Sequence, residues 1–230
     1  MQLPYEKTII GSGEPIRKEN LVEFRLIYRG ELPSSSNRKT HVREKHLVRK
    51  YLNHQLRRLW LVKSNLIQYA RYIGGGALAD SGTPSDDVDL RWRHGIETLA
   101  NNWNRGDFNF LPLVTDKFAV RCAVDILLLR PEGREYVFEQ GDIDGRLKTL
   151  FDALRVPKDI NETGNTNPDE DEHPFCVLLE DDNLISEVHI ATDQLLLLPG
   201  ERELKANDAF AIIHVKINHL GGSPFGRWLD

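Results

Sequence analysis

The spacing of apolar residues along the chain predicts four strands and two helices. Apolar residues at i, i+3, i+4 and i+7 predict one helix over residues 40–64 and another that starts at Asp144, as its N-cap, and runs for about three turns. Strict alternation of apolar and polar residues predicts strands, because successive side chains of a strand point to opposite faces of a sheet. The segments with this alternation are residues 21–29, 118–130, 184–192 and 208–218.

The order strand, helix, strand, helix, strand, strand predicts an α+β fold in which helices flank a small mixed β-sheet. We treat residues 1–230 as a single domain with residues 118–130 as a central strand. Residues 73–116 are rich in Gly, Asn, Asp and Ser, and predict an insertion or long irregular connection with a short helix near residues 93–102. We take the insertion between the first helix and the second strand to span residues 65–116. Residues 156–174 are predicted to form an exposed, mobile acidic loop.

Composition favours a globular cytoplasmic protein. Apolar residues make up 40% of the chain, which is ordinary for a globular domain. No stretch approaches the roughly 18 to 20 consecutive apolar residues of a membrane span, and "MQLPYEKTII" lacks the pattern of a signal peptide. Cys122 and Cys176 lie in apolar segments and are predicted to be buried, reduced thiols.

The positive charge of the chain is concentrated in one segment. The net charge is −5, with +7 in residues 38–58 and −12 in the remainder. The polar face of the predicted helix 40–64 is therefore strongly basic, and both a nucleic-acid contact surface and a merely solvated surface explain it. The residues of this predicted outer face are Arg43, His46, Arg49, Lys50, His54 and Arg57.

Candidate chemistry is concentrated in "GDIDGRLKTLFDALRVP", residues 141–157. Asp142 and Asp144 are spaced i, i+2 at the end of an extended segment, so their side chains project to the same side. Two carboxylates this close repel each other unless a cation offsets their charge, and the oxygen-seeking ions Mg²⁺ and Mn²⁺ are the usual solution. Lys148, one helical turn after Asp144, is within reach of a substrate phosphate or a nucleophilic water.

A second acidic segment, "LLEDDNLI" at residues 178–185, offers further carboxylates beside a predicted strand. A purely structural interpretation also explains the acidic residues of the motif. Asp-x-Asp before a helix is often a cap with a solvated acid, and Asp144, Lys148 and Asp152 at i, i+4 and i+8 are also the spacing of an ion-pair ladder.

The motif "GDIDGRLKTLFDAL", followed by "LEDDNLI", resembles the signature of RusA-like Holliday-junction resolvases, a family of phage and prophage endodeoxyribonucleases. That signature has the form D-x-D-N-x-x-K-x-x-x-D-A-L, then a short connection, then D-D-x-x-[IV]. Gly145 stands where the family usually has Asn, and the connection 156–174 is longer and more acidic. The residues that match in register are Asp142, Asp144, Lys148, Asp152, Ala153, Leu154, Asp181, Asp182 and Ile185.

The resemblance implies a homodimeric, Mg²⁺-dependent endonuclease that cleaves branched DNA in recombination or repair, with Mn²⁺ as a substitute metal. It implies that Asp142, Asp144 and Asp182 bind the metal and that Lys148 supports cleavage. Asp152, Asp181 and Gly145 then have structural roles at the site. The basic helix face is expected to contact DNA phosphates through Arg43, Arg49, Lys50 and Arg57. A catalytically silent relative that binds nucleic acid or a protein is the alternative from another class.

A second pattern resembles a different family. "IGGGALADSGTPSDDVDLRW", residues 73–92, is similar to the hydrophobic-Gly-Gly and Asp-x-Asp pattern of nucleotidyltransferases related to DNA polymerase β. That resemblance implies Asp87 and Asp89 as a metal pair and Asp125 as a third carboxylate. A Gly-rich loop followed by an Asp-capped turn explains the same residues without catalysis.

Overall fold

The computed structural model describes residues 22–34, 41–83, 85–131, 143–197, 200 and 203–219. These residues form an α+β fold with two mixed sheets, as predicted in class. The strands are β1 (Val22–Glu31), β2 (Asn104–Arg105), β3 (Phe108–Val114), β4 (Val120–Arg130), β5 (Phe175–Leu179), β6 (Ile185–Gln194) and β7 (Asp208–His219). The helices are α1 (Val42–Val62), α2 (Ser64–Asp80), α3 (Val88–Ala100) and α4 (Ile143–Leu154).

The main sheet has the strand order β1-β7-β4-β6. β7 runs antiparallel to β1 and β4, whereas β6 runs parallel to β4. Phe24, Val215 and Val124 lie side by side across three strands and are buried, while Asp125 and His214 point to the opposite, more exposed face. The predicted central position of β4 is confirmed, since it pairs with a strand on both sides.

A second sheet, with the order β2-β3-β5, was not predicted. β3 runs parallel to β5 and antiparallel to β2. Its aromatic side chains Phe108, Phe110 and Phe175 form a separate buried cluster with Trp103. His46 of α1 stacks on Phe175, with ring centroids 5.7 Å apart, so α1 is packed between elements of both sheets.

Residues 65–116 are not irregular, so the prediction of a long irregular connection is wrong, but the short helix predicted near residues 93–102 corresponds to part of α3. α2 and α3 fill most of this segment and pack closely on each other. A Cβ at Gly74 would lie 1.7 Å from the carbonyl oxygen of Arg91, and one at Gly95 would lie 1.8 Å from that of Ala70. The glycines are therefore contact points between two helix backbones. Their low helix propensity is outweighed by this tertiary packing.

The remaining element predictions agree with the structure. α1 spans almost the whole predicted helix and buries Val48, Leu52 and Leu56. Cys122 and Cys176 are free, buried thiols, and burial raises the pKa of each to about 12. Within the described part of the chain, no helix has both the length and the apolar content needed to cross a bilayer.

Candidate functional site

Three residues of the α4 motif lie on one side of that helix. Asp144, Lys148 and Asp152 are four residues apart, which is close to the helical repeat of 3.6 residues. α4 begins at Ile143, so Asp144 lies in its first turn, and its predicted role as N-cap is wrong. Asp142 lies outside the described residues.

Asp182 reaches the same place from a different part of the chain. The end of α4 is tied to the end of β5, because the backbone N–H of Val156 donates to the carbonyl of Leu179 at 2.9 Å. The chain then enters a 3₁₀ turn at Asp182 before β6. Asp182 and α4 together enclose a cleft of about 370 Å³, here named the α4 cleft. It is lined by Asp144, Leu147, Lys148, Phe151, Asp152 and Asp182.

The side chains of Asp144, Lys148 and Asp182 are free within the α4 cleft. All three are exposed, and none forms a hydrogen bond or ion pair within the described parts of the chain. The ion-pair ladder proposed for Asp144 and Lys148 is therefore absent there. These groups can offer two carboxylates and an ammonium to a ligand that enters the cleft.

Asp152 lines the same cleft but is already paired. Its carboxylate accepts a hydrogen bond from Lys45 Nζ at 2.6 Å and one from Arg155 at 3.0 Å. Burial raises the pKa of Asp152, but the hydrogen bond and charge of Lys45, together with Arg155, outweigh it and hold that pKa below its usual value. Asp152 thus joins α4 to α1.

The neighbours of Asp182 have local structural contacts. Asp181 caps the 3₁₀ turn by accepting a hydrogen bond from the backbone N–H of Asn183 at 3.1 Å. Glu180 accepts from the hydroxyl of Thr115 and from the backbone N–H of Asp116. Gly145 is buried in the first turn of α4. Of the three consecutive acids, only Asp182 lines the cleft.

The predicted basic outer face of α1 is largely covered. Arg49 is 1% exposed, and its guanidinium donates to the carbonyl of Asp152 at 2.8 Å and to that of Glu162 at 3.2 Å. The burial of Arg49 therefore does not support its predicted DNA contact, which stays a prediction. His46 is also buried, and desolvation, with the charges of Arg49 and Lys50, lowers its pKa to about 3. Some polar residues of α1 therefore lie in the core, although the helical pattern alone predicted that they face solvent.

Residues 158–174, here named the acidic segment, cover this face. Lys50 lies 2.8 Å from Asp169 and 3.1 Å from the buried carboxylate of Glu172. The predicted exposure agrees with the structure for most of the acidic segment, but Thr163 and Glu172 are buried. The charge of Lys50 is offset by contacts within the chain.

Two of the predicted DNA contacts, Arg43 and Arg57, form no ion pair with the described residues. Arg43 is exposed and forms no ion pair with any described residue, although its aliphatic part packs near Gly164. Arg57 is partly buried beside Trp60 and lines a second cavity.

The carboxylates of the nucleotidyltransferase pattern are not brought together. Asp87 caps α3 by accepting hydrogen bonds from the backbone N–H groups of Asp89 and Leu90. Asp125 lies on β4 beside Lys216, at 3.2 Å. Ile73 to Gly75 are inside α2 rather than in a loop. All three acids are among the described residues, and they form no group that could hold a metal, so the structure removes the geometric basis of that alternative.

The contacts that sequence reasoning missed are those of Lys45 and Arg155. Arg155 follows Asp152 at the i, i+3 spacing of a helical ion pair, a signal that was available. Lys45 and Asp152 are 107 positions apart, and no local pattern links them.

Comparison of this chain with protein-family models, curated proteins and solved structures finds no match. The functional assignment therefore depends on the α4 cleft and on the motif that forms it.

Proposed function

We propose that this protein is a metal-dependent endodeoxyribonuclease that cleaves phosphodiesters in branched DNA, with a RusA-like catalytic domain. The observation that carries the proposal is the α4 cleft. Asp144 and Lys148 meet Asp182, which is 34 residues beyond Lys148, and all three side chains are free of protein partners within the described residues. Free carboxylates and a free ammonium in one concavity are more typical of a site than of a structural ion-pair network.

The donor set suits Mg²⁺ or Mn²⁺. Mg²⁺ is commonly held by one or two carboxylates and completes its coordination with water and substrate phosphate. Asp144 and Asp182 supply two carboxylates, and the motif predicts Asp142 as a third. Among the described residues, which do not include Asp142, no group of three metal-binding side chains occurs. A bound divalent ion would lower the pKa of a water nucleophile and stabilise charge on the phosphate. Lys148 would neutralise charge that develops on the non-bridging or leaving oxygens.

Cleavage of a synthetic four-way DNA junction in the presence of Mg²⁺ tests the proposal. Asp144→Asn, Asp182→Asn and Lys148→Met are each expected to reduce the rate by about a hundredfold or more, as removal of a transition-state contact does. Asp142→Asn is expected to do the same. Asp181→Asn is the matched control, because asparagine also caps a turn and Asp181 does not line the cleft. Circular dichroism checks the fold of each variant, and wild-type rates in Asp144→Asn or Asp182→Asn would refute the assignment.

A catalytically silent nucleic-acid or protein-binding relative is the second candidate. The observation that favours it is Gly145, which replaces the asparagine of the motif and leaves the site without that side chain. This candidate predicts junction binding without cleavage at any Mg²⁺ or Mn²⁺ concentration, and binding that is unchanged in Asp182→Asn.

We extend the proposal to a homodimer, because two equivalent sites would cut the two related strands of a symmetric junction. Sedimentation equilibrium measures the mass of the assembly directly. A monomer with and without junction DNA would contradict this part of the proposal and leave the metal site untouched.

A further inference from the structure

A larger cavity lies away from the α4 cleft and shares no residue with it. Its volume is about 590 Å³, within the range of small-molecule sites. Side chains of α1, α3 and β3 form it, together with the turn before β5. We name it the tryptophan pocket, and the lining residues used below are Arg57, Trp60, Trp92, Arg93, Asn101 and Asn109.

The tryptophan pocket holds buried donors without acceptors. Arg57 Nη1 and Trp92 Nε1 are both inaccessible to solvent and form no hydrogen bond with the described residues. Buried polar groups are nearly always bonded, so each such donor calls for an explanation. The side-chain amides of Asn101 and Asn109 also form no hydrogen bond in the described part of the chain. Two buried donors without acceptors thus lie in residues that line the pocket, together with two amides that both donate and accept.

The charge and the aromatic groups narrow the class of ligand. Two guanidinium groups, those of Arg57 and Arg93, line the pocket with a single carboxylate, that of Glu97. An anion is therefore favoured over a cation. Trp92, which is half-buried, supplies indole surface against which a planar ring can pack, whereas Trp60 is 2% exposed and offers almost none. Asparagine amides are suited to the polar edges of a nucleobase.

We propose that the tryptophan pocket binds a nucleotide, with the base packed against the indole of Trp92 and its phosphate held by Arg57. A small rotation of the Arg57 and Trp92 side chains on binding gives their buried N–H groups an acceptor on the ligand, and the two asparagines contact the edge of the base. The nucleotide is either a free mononucleotide or one unit of a DNA strand, since both present the same base and phosphate. This binding requires no metal and does not depend on the activity proposed for the α4 cleft.

Isothermal titration calorimetry of the full chain in EDTA tests the proposal. The ligands are the four deoxynucleoside monophosphates, the matching nucleosides and a short single-stranded oligodeoxynucleotide. We expect saturable binding of at least one monophosphate or of the oligonucleotide, and weaker binding of the nucleosides. Binding of the monophosphates identifies the free nucleotide as the source, and binding of the oligonucleotide alone identifies a strand.

Variants localise the binding. Arg57→Gln is expected to weaken it by about tenfold or more, because a charged hydrogen bond is lost. Trp92→Phe keeps an aromatic ring but removes the indole donor and should weaken binding severalfold. Arg58→Gln is the matched control, since Arg58 is the next residue on α1, is exposed and does not line the pocket. Should Arg57→Gln fail to fold by circular dichroism, Arg93→Gln, at an exposed position, replaces it.

The proposal is overturned if neither monophosphate nor oligonucleotide binds at millimolar concentration. It is also overturned if Arg58→Gln weakens binding as much as Arg57→Gln, or if nucleosides bind as tightly as nucleotides. Failure of the nuclease proposal gives a different result, because Asp144→Asn and Asp182→Asn do not touch this pocket and should leave nucleotide binding in EDTA unchanged.

Discussion

Asp152 shows how one residue of the motif differs from its neighbours. It is spaced like Asp144 and Lys148 on α4, yet it alone is held by two cations of the protein, Lys45 and Arg155. Its side chain is 15% exposed, so these contacts are mostly shielded from solvent. A carboxylate held this way positions α4 against α1 and leaves Asp144 and Asp182 free for a ligand.

Replacement of Asp152 by asparagine is expected to destabilise the fold by about 2 to 3 kcal/mol, between the values for exposed and buried ion pairs. Urea unfolding at neutral pH measures this change. Asp171→Asn is the control, because Asp171 is 65% exposed and lies 3.7 Å from His54, and it should cost less than about 0.5 kcal/mol. Equal losses in the two variants would contradict the structural role of Asp152.

The ion pairs of Asp152 also predict that the stability of the fold depends on pH. The pKa of Asp152 is lower in the folded state than the value of about 3.9 for an unfolded aspartate. Its contribution to stability is therefore complete above about pH 4 and is lost as the pH falls through the folded pKa. Urea unfolding at a series of acidic pH values should show a shallower loss of stability in Asp152→Asn than in the wild type. Parallel curves would show that Asp152 does not contribute to acid unfolding.

At the scale of elements, the α2 and α3 pair shows why a glycine-rich segment can form helices. Sequence composition indicated an irregular connection over residues 65–116, because glycine is a weak helix former. Gly74 and Gly95 instead allow two helix backbones to meet, where any Cβ would overlap a carbonyl group of the partner helix. The helical conformation of these glycines was therefore decided by a tertiary contact that the local sequence does not show.

Alanine substitutions separate these roles of glycine. Gly74→Ala and Gly95→Ala are expected to destabilise the protein by more than about 3 kcal/mol, because the helices must move apart. Gly76→Ala is the control on the same helix, since a Cβ there meets nothing within 4 Å. It should stabilise the protein by up to about 1 kcal/mol through helix propensity. Thermal and urea unfolding measure both effects, and destabilisation by Gly76→Ala would refute this account.

At the scale of the whole molecule, α1 connects the two sheets, the α4 cleft and the acidic segment. Lys45 contacts α4, Arg49 contacts both α4 and the acidic segment, and Lys50 contacts the acidic segment alone. The charge of Lys50 on the basic helix is thus offset by Asp169 and Glu172, more than 100 residues later. Part of the charge separation along the sequence therefore reflects contacts inside the protein rather than a binding surface for a partner.

Arginine substitutions on α1 test this arrangement. Arg49→Met is expected to cost about 3 kcal/mol, because a buried charged donor and its bonds to two carbonyls are lost. Arg43→Met, at an exposed position of the same helix, should cost less than about 0.5 kcal/mol. Thermal unfolding measures stability, and DNA binding is compared only between folded variants. A stable Arg49→Met protein that loses DNA binding would restore the original assignment of Arg49.

The sequence by itself determined the elements whose patterns are local. Alternation specified the strands of the main sheet, and the i, i+3, i+4 spacing specified α1 and α4, because these periods follow from backbone geometry. The acidic motif also placed Asp144 and Lys148 on one side of α4 from spacing alone. The resemblance carried by "LEDDNLI" predicted Asp182 rather than Asp181 as the functional acid, and in the structure Asp182 is the acid of that segment that lines the cleft.

Tertiary structure decided the features that depend on distant partners. The second sheet, the packing of α2 on α3 and the burial of Arg49 are all set by segments far apart in the chain. A polar residue on an amphipathic helix faces either water or another segment, and its own periodicity is the same in both cases. Only the folded chain shows that the acidic segment occupies that face of α1, and only there do Asp182 and α4 enclose one cleft.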